Sequence, residues 1–553
     1  MFHSKNTITM KTKQIIYTGF IIALAFMHTG CSDLLDVEPE DLITQENFYN
    51  SEDDFKAATA PLYNKVWFDF NTKFYYGLGD GRSYNLYAPF SDYIYPFSDL
   101  NETGLTGPLV EAWSSFYNVI QQSNNVIIGI SSSNVNENVK QKYIAEARFM
   151  RGTAYWYLAS LWGDTIISTD PSELVANPIV NKNPELDVYE FAIRDIEYAA
   201  KYLPEQASQS GRLTKYSAYG MLSRLYLSFA GLSDNPNSGT RNQSYLELAK
   251  KAAKKVINEG PYRLMGNYAD LFKIENNNNT ESMFALQWVP NGEYGVNNFQ
   301  QAFFALGSDI TGNDVAYGYW TRASYDVLKA YEINDKRRKA TWMADGDFYP
   351  EINIANGGYN VDHENTFVNV KKGVVGSNKD NPNISRQNSS LNSYMMRLAE
   401  VYLNYAEATL GNNATTTDAD ALTYVNLLRK RAGLDLKTSL TYEEIVRERR
   451  VELCMEGQYW FDLVRRSYYK QQEVINYITS QERGVITPFN YDNVTNSVTV
   501  DATRDASSRS IGVIDASIFL LPYPESEVVQ NPLLKQPPVS YEFKEEKITN
   551  LFD

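Results

Sequence analysis

The chain has 553 residues, 43% of them hydrophobic and 21% charged, a composition typical of a soluble globular protein. Its formal net charge of −16 excludes nucleic acid or an anionic lipid surface as the main partner, and a neutral ligand fits better. With three His and two Cys, a His-rich metal cluster and a disulfide framework are excluded, and we expect no cofactor. Aromatic residues reach 14%, and the 41 Tyr among them indicate a wet recognition surface.

The beginning of the chain has the pattern of a secretion signal. Two lysines precede an apolar run, Ile15–Met27, which is too short to span a bilayer. A small residue before Cys31 is typical of a bacterial lipobox, so we expect Cys31 to be the lipidated first residue of the mature protein. His28 departs from that pattern, and plain cleavage with a free thiol at Cys31 is the alternative. Both Met1 and Met10 are compatible with the start.

Apolar residues recur at helical spacing through most of the remaining chain. Helices of about fifteen residues, in pairs that recur roughly every 30–40 residues, are typical of a tetratricopeptide-like solenoid. Capping residues support this reading at Ser51 and Thr214. The predicted helices begin at Ser51 and Leu109 and continue at 142–162, 188–203, 214–231, 245–257, 325–331, 397–410 and 418–432.

Residues 441–466 form the most distinctive stretch, and their spacing predicts one long helix. Thr441 and Glu444 make a capping box at its start. Arg450 lies inside the apolar stripe, with glutamates close by, so we expect these charges to pair with groups on neighbouring helices. Paired carboxylates could instead perform acid–base chemistry, but structural ion pairs are the more common case.

Two stretches rich in aromatic residues lack helical periodicity. Residues 67–107 and about 276–388 combine Trp, Tyr and Phe with Gly and Asn, and only Ser282–Val289 in them predicts a strand. Long loops without periodicity are usually functional or disordered, and so many aromatics argue against disorder. We therefore expect the ligand to bind there.

Five ordered segments resemble the SusD/RagB family of Bacteroidetes outer-membrane nutrient-binding lipoproteins. The resemblance covers nearly all of the mature chain, and it implies capture of oligosaccharides, or of peptides in one branch of the family, without bond cleavage. It also implies a mostly α fold: a tetratricopeptide-like right-handed helical superhelix packed against an irregular, loop-rich lobe with a few short strands. The implied partner is a SusC-like TonB-dependent transporter, which the lipoprotein covers at the cell surface. The segments are CSDLLDVEPED at 31–41, AEARFMRGTAYWYLASLWGD at 145–164, RLAEVYLNYAEA at 397–408, IVRERRVELCMEGQYWFDLVRR at 445–466 and LLPYPESEVVQNPLLKQ at 520–536.

The resemblance also divides the chain. We expect a signal peptide at 1–30, a lipidated tether at 31–45 and a single SusD-like domain at 46–553. Its helical frame is placed at about 46–66, 108–275, 390–478 and 517–541, and its variable ligand-binding segments at about 67–107, 276–389 and 479–516.

Aromatic side chains in the variable segments are the candidate ligand contacts, because a flat ring buries the C–H face of a sugar while polar groups bond its hydroxyls. No family motif fixes these positions, and satellite core under a loop is the alternative for each aromatic. The four tryptophans on helical stripes, Trp113, Trp156, Trp162 and Trp460, are predicted to be core. The candidate ligand contacts are the aromatics Trp67, Tyr76, Tyr84, Trp288, Tyr319 and Trp320, with Asp80, Arg82 and Asn85 as polar partners.

Three other functions stay open at this point. A peptide-binding RagB-like lipoprotein would use the same Tyr and Asn side chains. A secreted glycosidase needs only two carboxylates, and with 67 Asp and Glu some pair will always lie close. A pure adaptor, holding a partner peptide in the solenoid groove, would leave the loop aromatics unexplained.

Overall fold

Long helices form the frame of the protein in the computed structural model, which describes residues 48–89, 91–234, 236–290, 295–312, 316–362, 367–385, 388–544 and 547–552. Cys31, the predicted lipid attachment site, and the predicted signal and tether lie outside these residues. No helix among the described residues is long and apolar enough to cross a membrane. The long helices are α1 Glu52–Thr59, α2 Gly107–Ser131, α3 Glu137–Trp162, α4 Glu185–Tyr202, α5 Lys215–Leu232, α6 Gln243–Glu259, α7 Leu398–Leu410, α8 Ala419–Ala432, α9 Tyr442–Glu452 and α10 Tyr459–Ser480.

The helices begin where capping side chains satisfy free backbone N–H groups, as the sequence predicts. Ser51 accepts the backbone N–H of Asp54 at the start of α1. Thr214 does the same at the start of α5, where it forms a reciprocal capping box with Ser217. These interactions set the ends of helices whose stability otherwise comes mainly from packing.

The order of helix packing confirms the predicted solenoid. Each helix from α2 to α8 packs against the next one along the chain, and α10 packs back against α5. The tryptophans predicted to be core are buried, and Trp113 meets Trp162 edge to face with ring centres 5.2 Å apart. Stacked pairs therefore share one continuous apolar interior.

The predicted single helix at 441–466 is wrong, because the chain breaks between α9 and α10. The capping box of Thr441 and Glu444 is present, but Met455 and Gly457 adopt φ angles of 60° and 66°. A left-handed residue cannot continue a right-handed helix, and Gly is the residue that adopts this conformation without strain. The break turns the chain between two helices that both pack into the core.

Buried ion pairs link this region to the rest of the frame, as predicted for its charges. Arg397 is fully buried and pairs with Glu281, Glu452 and Glu456 at 2.6–2.8 Å. Arg450 reaches the carboxylate of Asp326 at 2.8 Å. Because each charge has partners, the network fixes how neighbouring elements meet, and these carboxylates serve structure.

Short strands organise the irregular lobe. The largest sheet has the order β1 (Leu86–Tyr87), β3 (Arg322–Ala323), β7 (Asn369–Val370), β4 (Trp342–Met343) and is antiparallel throughout. The predicted strand at Ser282–Val289 is confirmed as β2 (Ser282–Leu286), which pairs with β10 (Ser393–Arg397). The strands are β1 Leu86–Tyr87, β2 Ser282–Leu286, β3 Arg322–Ala323, β4 Trp342–Met343, β5 Phe348–Tyr349, β6 Tyr359–Asn360, β7 Asn369–Val370, β8 Ile384–Ser385, β9 Asn388–Ser389, β10 Ser393–Arg397, β11 Thr415–Thr416, β12 Leu440–Thr441, β13 Val485–Ile486, β14 Phe489–Tyr491, β15 Val498–Val500 and β16 Ser507–Ser508.

Short helical segments of the 3₁₀, α and π types connect these elements. The segment after α1 is built largely from them, including π-helical turns at Phe70–Phe74 and Gly77–Gly81. Nearly all side chains from Trp67 to Ala88 are buried, so this segment is part of the interior and is not a surface loop. The other short helical segments are Ala60–Tyr63, Lys65–Trp67, Tyr95–Ser98, Pro171–Ala176, Tyr268–Phe272, Ile274–Asn276, Gln301–Phe304, Ser308–Thr311, Gly318–Trp320, Tyr325–Leu328, Arg337–Thr341, Ile354–Asn356, Ala516–Phe519, Glu525–Gln530 and Pro532–Lys535.

Candidate functional site

Three neighbouring aromatic side chains stand on the surface at the turn Gly318–Trp320. Tyr317, Tyr319 and Trp320 are 57%, 42% and 44% exposed, whereas most other aromatics of the described chain are buried. The rings of Tyr319 and Trp320 meet edge to face with centres 5.0 Å apart. Part of each ring is therefore exposed on a surface that a ligand can reach.

Backbone contacts hold the turn in place. The N–H of Tyr317 donates to the carbonyl of Ala302 at 2.8 Å, and the N–H of Gly318 donates to that of Ala305 at 3.0 Å. A Cβ at Gly318 would lie 2.2 Å from the carbonyl carbon of Phe304, so only glycine allows this approach.

The amide of Asn369 on β7 supports the turn from the sheet. Its side-chain nitrogen donates to the carbonyls of Gly318 at 2.8 Å, Tyr319 at 3.1 Å and Thr321 at 3.3 Å. Asn369 is fully buried, and its strand pairs with β3 directly after the turn. The exposed rings are therefore carried by a fixed backbone, which lowers the entropy cost of binding.

A guanidinium lies among these rings. The Cζ atom of Arg322 is 3.9 Å from the ring centre of Phe367, 4.9 Å from that of Trp320 and 5.3 Å from that of Tyr319. Its Nε donates to the carbonyl of Tyr319 at 3.2 Å. Among the described residues, no carboxylate pairs with Arg322. We call Tyr317, Tyr319, Trp320, Arg322 and Phe367 the aromatic surface.

Further rings extend from the aromatic surface at Tyr317. The ring of Phe303 lies 6.1 Å from that of Tyr317 and 6.3 Å from that of Tyr93, and both Phe303 and Tyr93 are half-buried. Several ring faces thus lie along one side of the irregular lobe. Such a row suits an extended ligand with repeated apolar faces and polar rims.

Three predicted aromatic contacts are wrong because their side chains are buried. Trp67 is fully buried, and its indole N–H donates to the carbonyl of Leu62 at 3.0 Å. Tyr76 packs edge to face on Phe304 with ring centres 4.2 Å apart. Trp288 donates its indole N–H to the hydroxyl of Ser393 at 3.0 Å. Each ring is interior, and each indole N–H has an interior partner.

Two predicted polar contacts also prove to be structural. The Asp80 carboxylate accepts the backbone N–H groups of Met455 and Gly457 at 2.9 and 2.8 Å, and the amide of Asn85 at 2.9 Å. Burial raises the pKa of Asp80 to about 6, although these hydrogen bonds oppose the shift. The carbonyl oxygen of the Asn85 side chain accepts Nε of Arg450 at 2.8 Å. Both side chains are fully buried and cannot reach a ligand.

Arg82 and Tyr84, also predicted to contact the ligand, are buried as well. Arg82 is buried with its Cζ 4.4 Å from the ring centre of Trp460, and it pairs with Glu102. Burial and the nearby Arg483 lower the pKa of Arg82 to about 9. Tyr84 is buried beside Arg483, whose Cζ is 5.2 Å from its ring centre. Of the predicted ligand contacts, Tyr319 and Trp320 are exposed, and their contact with a ligand remains a prediction.

Sequence reasoning missed three members of the aromatic surface. Tyr317 and Arg322 flank the predicted pair, and their nearness in the segment YGYWTR was the available signal. Phe367 joins from a distant part of the chain through the pairing of β3 with β7, which no local pattern predicts. In the described part of the chain, no group of three His, Cys, Asp or Glu side chains is placed to hold a metal ion.

Comparison with known proteins gives concordant matches over nearly the whole chain. Residues 232–540 match the model described as SusD family, and residues 94–227 match one described as starch-binding, associating with outer membrane. A SusD-like protein of Bacteroides ovatus is 39% identical over 97% of this chain and 100% of its own length. SusD-like protein P25 of Formosa agariphila is 25% identical over 82% of this chain and 90% of its own length. A crystal structure with a xylogluco-oligosaccharide superposes with a TM-score of 0.82 at 40% identity, covering 89% of this chain and 100% of that one.

Proposed function

Because this chain belongs to the SusD family, we propose that it binds an oligosaccharide on the aromatic surface, by ring stacking and polar contacts and without cleaving bonds. The exposure of Tyr319 and Trp320 on one fixed turn carries this proposal. A relative that is 40% identical has been crystallised with a xylogluco-oligosaccharide, which supports a carbohydrate as the ligand class. One relative, from Bacteroides thetaiotaomicron, is named a starch-binding protein.

Ring stacking on this surface would bind an oligosaccharide tightly enough to capture it and weakly enough to release it. An aromatic contact contributes about 0.5–1.5 kcal/mol beyond area burial, so single sugars bind weakly. Three or four ring contacts along a chain give roughly micromolar affinity, which corresponds to about −8 kcal/mol. In this account N–H groups of Arg322 donate to sugar oxygens beside the rings and fix the position of the bound oligosaccharide. Such a binder holds its ligand long enough to transfer it.

The family model that residues 94–227 match is described as associating with outer membrane, which supports a location at the outer membrane. The lipid anchor is Cys31, which places the protein on the outer membrane with its aromatic surface at the cell exterior. The bound oligosaccharide passes to a SusC-like TonB-dependent transporter. The lipobox pattern and the family membership support this arrangement.

Calorimetric titration of the purified full chain against neutral plant, fungal and bacterial glycans and a peptide pool tests the proposal. We expect micromolar binding to at least one glycan and none to peptides. Binding to peptides alone would favour the peptide-binding branch of the family. Incubation with the bound glycan should release no new reducing ends, and turnover would contradict a pure binding role.

A further inference from the structure

A second concave site lies in the irregular lobe and does not include the aromatic surface. It is a cleft of about 430 Å³ formed by residues 267–275, 336–340, 348–354 and 371–381. Its volume lies in the range of small-molecule sites, which is about 300–1,000 Å³. The cleft is therefore large enough for one or two sugar rings.

Lysines are prominent in the lining. Lys336 and Lys339 are exposed, and neither pairs with a carboxylate of the described residues. Lys371 is nearly buried, with 11% of its side chain exposed, and its Nζ donates to the carbonyl of Val374 at 2.9 Å. The Nζ atoms of Lys339 and Lys371 lie 5.5 and 5.3 Å from the ring centre of Tyr349. Two ammonium groups thus lie around one aromatic ring inside a protein of net charge −16.

The acidic groups of the cleft are mostly occupied elsewhere. Asp270 pairs with Lys273 at 2.7 Å, and Asp380 accepts the backbone N–H groups of Ser377 and Ile354 at 2.8 Å each. Glu275, also in the lining, is exposed to solvent.

Glu351 differs from these acidic groups, because its carboxylate lies beside Lys371 and so shows a position that an anion can occupy. Its Oε1 lies 3.4 Å from Nζ of Lys371, and 42% of its side chain is exposed. A loose ion pair with an exposed partner contributes little, so water or a competing carboxylate can replace Glu351.

An apolar wall adjoins these charges. Phe348, on β5, is 39% exposed, and it lines the cleft next to the buried Tyr349. Phe348 and Lys371 line the same cleft, and this combination of an exposed ring and an ammonium group matches a ligand that has a weakly polar face and a carboxylate on its rim. A uronic acid has both features, whereas a free carboxylic acid lacks the face and a neutral sugar lacks the charge.

We propose that this cleft binds a uronic-acid residue of an oligosaccharide, whose carboxylate takes the place of Glu351 beside Lys371 while its ring packs against Phe348. The site is separate from the aromatic surface, and it rests on the proposed function only in taking the ligand to be a sugar. Burial lowers the pKa of Lys371, so an anion brought close to its Nζ stabilises the charged form.

Titration of the full chain with trigalacturonate and with cellotriose tests the inference. The affinity of the wild type for trigalacturonate in this cleft should be higher than its affinity for cellotriose there. Lys371→Met should weaken trigalacturonate binding about tenfold or more, because a charge-assisted contact is lost. Glu351→Gln should tighten it about threefold, because the competing carboxylate is gone. The opposite signs separate ligand competition from general damage to the fold.

Two further variants distinguish this site from the aromatic surface. Lys535→Met removes an exposed charge outside the cleft and should leave the affinity for trigalacturonate unchanged. Trp320→Ala should also leave it unchanged, even where it abolishes binding of a neutral glycan. The inference is overturned if trigalacturonate does not bind, if Lys371→Met and Glu351→Gln bind it as wild type does, or if Trp320→Ala alone abolishes its binding.

Discussion

The carboxylate of Asp80 accepts the backbone N–H of Gly457 at 2.8 Å. One residue lies in the buried segment after α1 and the other in the break between α9 and α10, far apart in the sequence. Asp80 also accepts the N–H of Met455 at 2.9 Å, so a single buried carboxylate satisfies two backbone donors of a left-handed turn. This contact explains why Asp80 is interior and why the chain can turn where the sequence pattern predicts a continuous helix.

Asp80→Ala should lower the free energy of unfolding by about 3 kcal/mol or more, because it leaves buried N–H groups without acceptors. Urea unfolding followed by circular dichroism measures the change. Asp92→Ala provides the control, since Asp92 is exposed and its removal should change stability by less than about 0.5 kcal/mol. Equal effects of the two variants would show that the Asp80 contacts carry no net stability.

Acid should destabilise the frame through its buried glutamates. Arg224 and Arg449 hold the pKa of Glu400 at about 2, and Arg465 and Arg241 hold that of Glu407 at about 2, despite burial. Because both pKa values lie below the ordinary glutamate value of 4.5, the folded state binds fewer protons than the unfolded state as pH falls. Stability should therefore be full above about pH 4.5 and decrease as pH falls toward 2, by an amount on the order of 3 kcal/mol for each group.

Urea midpoints measured between pH 2.5 and 7 check this dependence. The pKa of Asp80 shifts in the opposite direction, to about 6, so its contribution to stability decreases by an amount on the order of 3 kcal/mol as pH rises from about 4 to 6. Glu407→Gln should be less stable than wild type at pH 7 and should lose less stability on acidification. A wild-type midpoint that does not change between pH 5 and 2.5 would contradict the assignment.

Trp288→Ala should destabilise the protein by about 3–5 kcal/mol, because it removes a large buried ring and leaves a cavity. Its indole N–H partner Ser393 would also lose a contact. Thermal unfolding measures the loss, and Trp288→Phe should recover part of it because the ring volume is largely kept. A nearly unchanged melting temperature for Trp288→Ala would mean that this ring is not part of the interior.

Trp320→Ala should weaken binding of the preferred neutral glycan about tenfold, which corresponds to about 1.4 kcal/mol, because a stacking face is lost. The melting temperature should change little, since 44% of the side chain is exposed. Calorimetric titration and thermal unfolding of the same preparation give both quantities. Val175→Ala is a matched control, because Val175 is 83% exposed and lies outside the aromatic surface. Unchanged affinity in Trp320→Ala would remove this ring from the site.

The fold was largely predictable because helical periodicity and capping are local signals. Ser51, Thr214 and Thr441 are caps in the structure as in the sequence, and the helix order follows the predicted solenoid. The break at Met455 was not predictable from apolar spacing, because the stripe continues through it. Asp80 accepts the backbone N–H of Met455 at the break, and a local pattern does not contain this contact.

The site was predictable only in part, because aromatic composition does not distinguish surface from interior. Trp67 and Trp320 both lie in aromatic, glycine-containing stretches without periodicity, yet one is fully buried and the other is 44% exposed. What separates them is packing: Trp67 contacts Phe70 of its own segment and Tyr157 on α3, whereas Trp320 stands on a turn held by Asn369. These contacts join residues that are distant in sequence.

A crystal structure of the full chain with the oligosaccharide that it binds best tests the central claim most directly. The account predicts a sugar ring in van der Waals contact with Trp320 or Tyr319 and a sugar oxygen within hydrogen-bonding distance of Arg322. An oligosaccharide bound elsewhere, with the rings of Tyr319 and Trp320 still facing solvent, would contradict it.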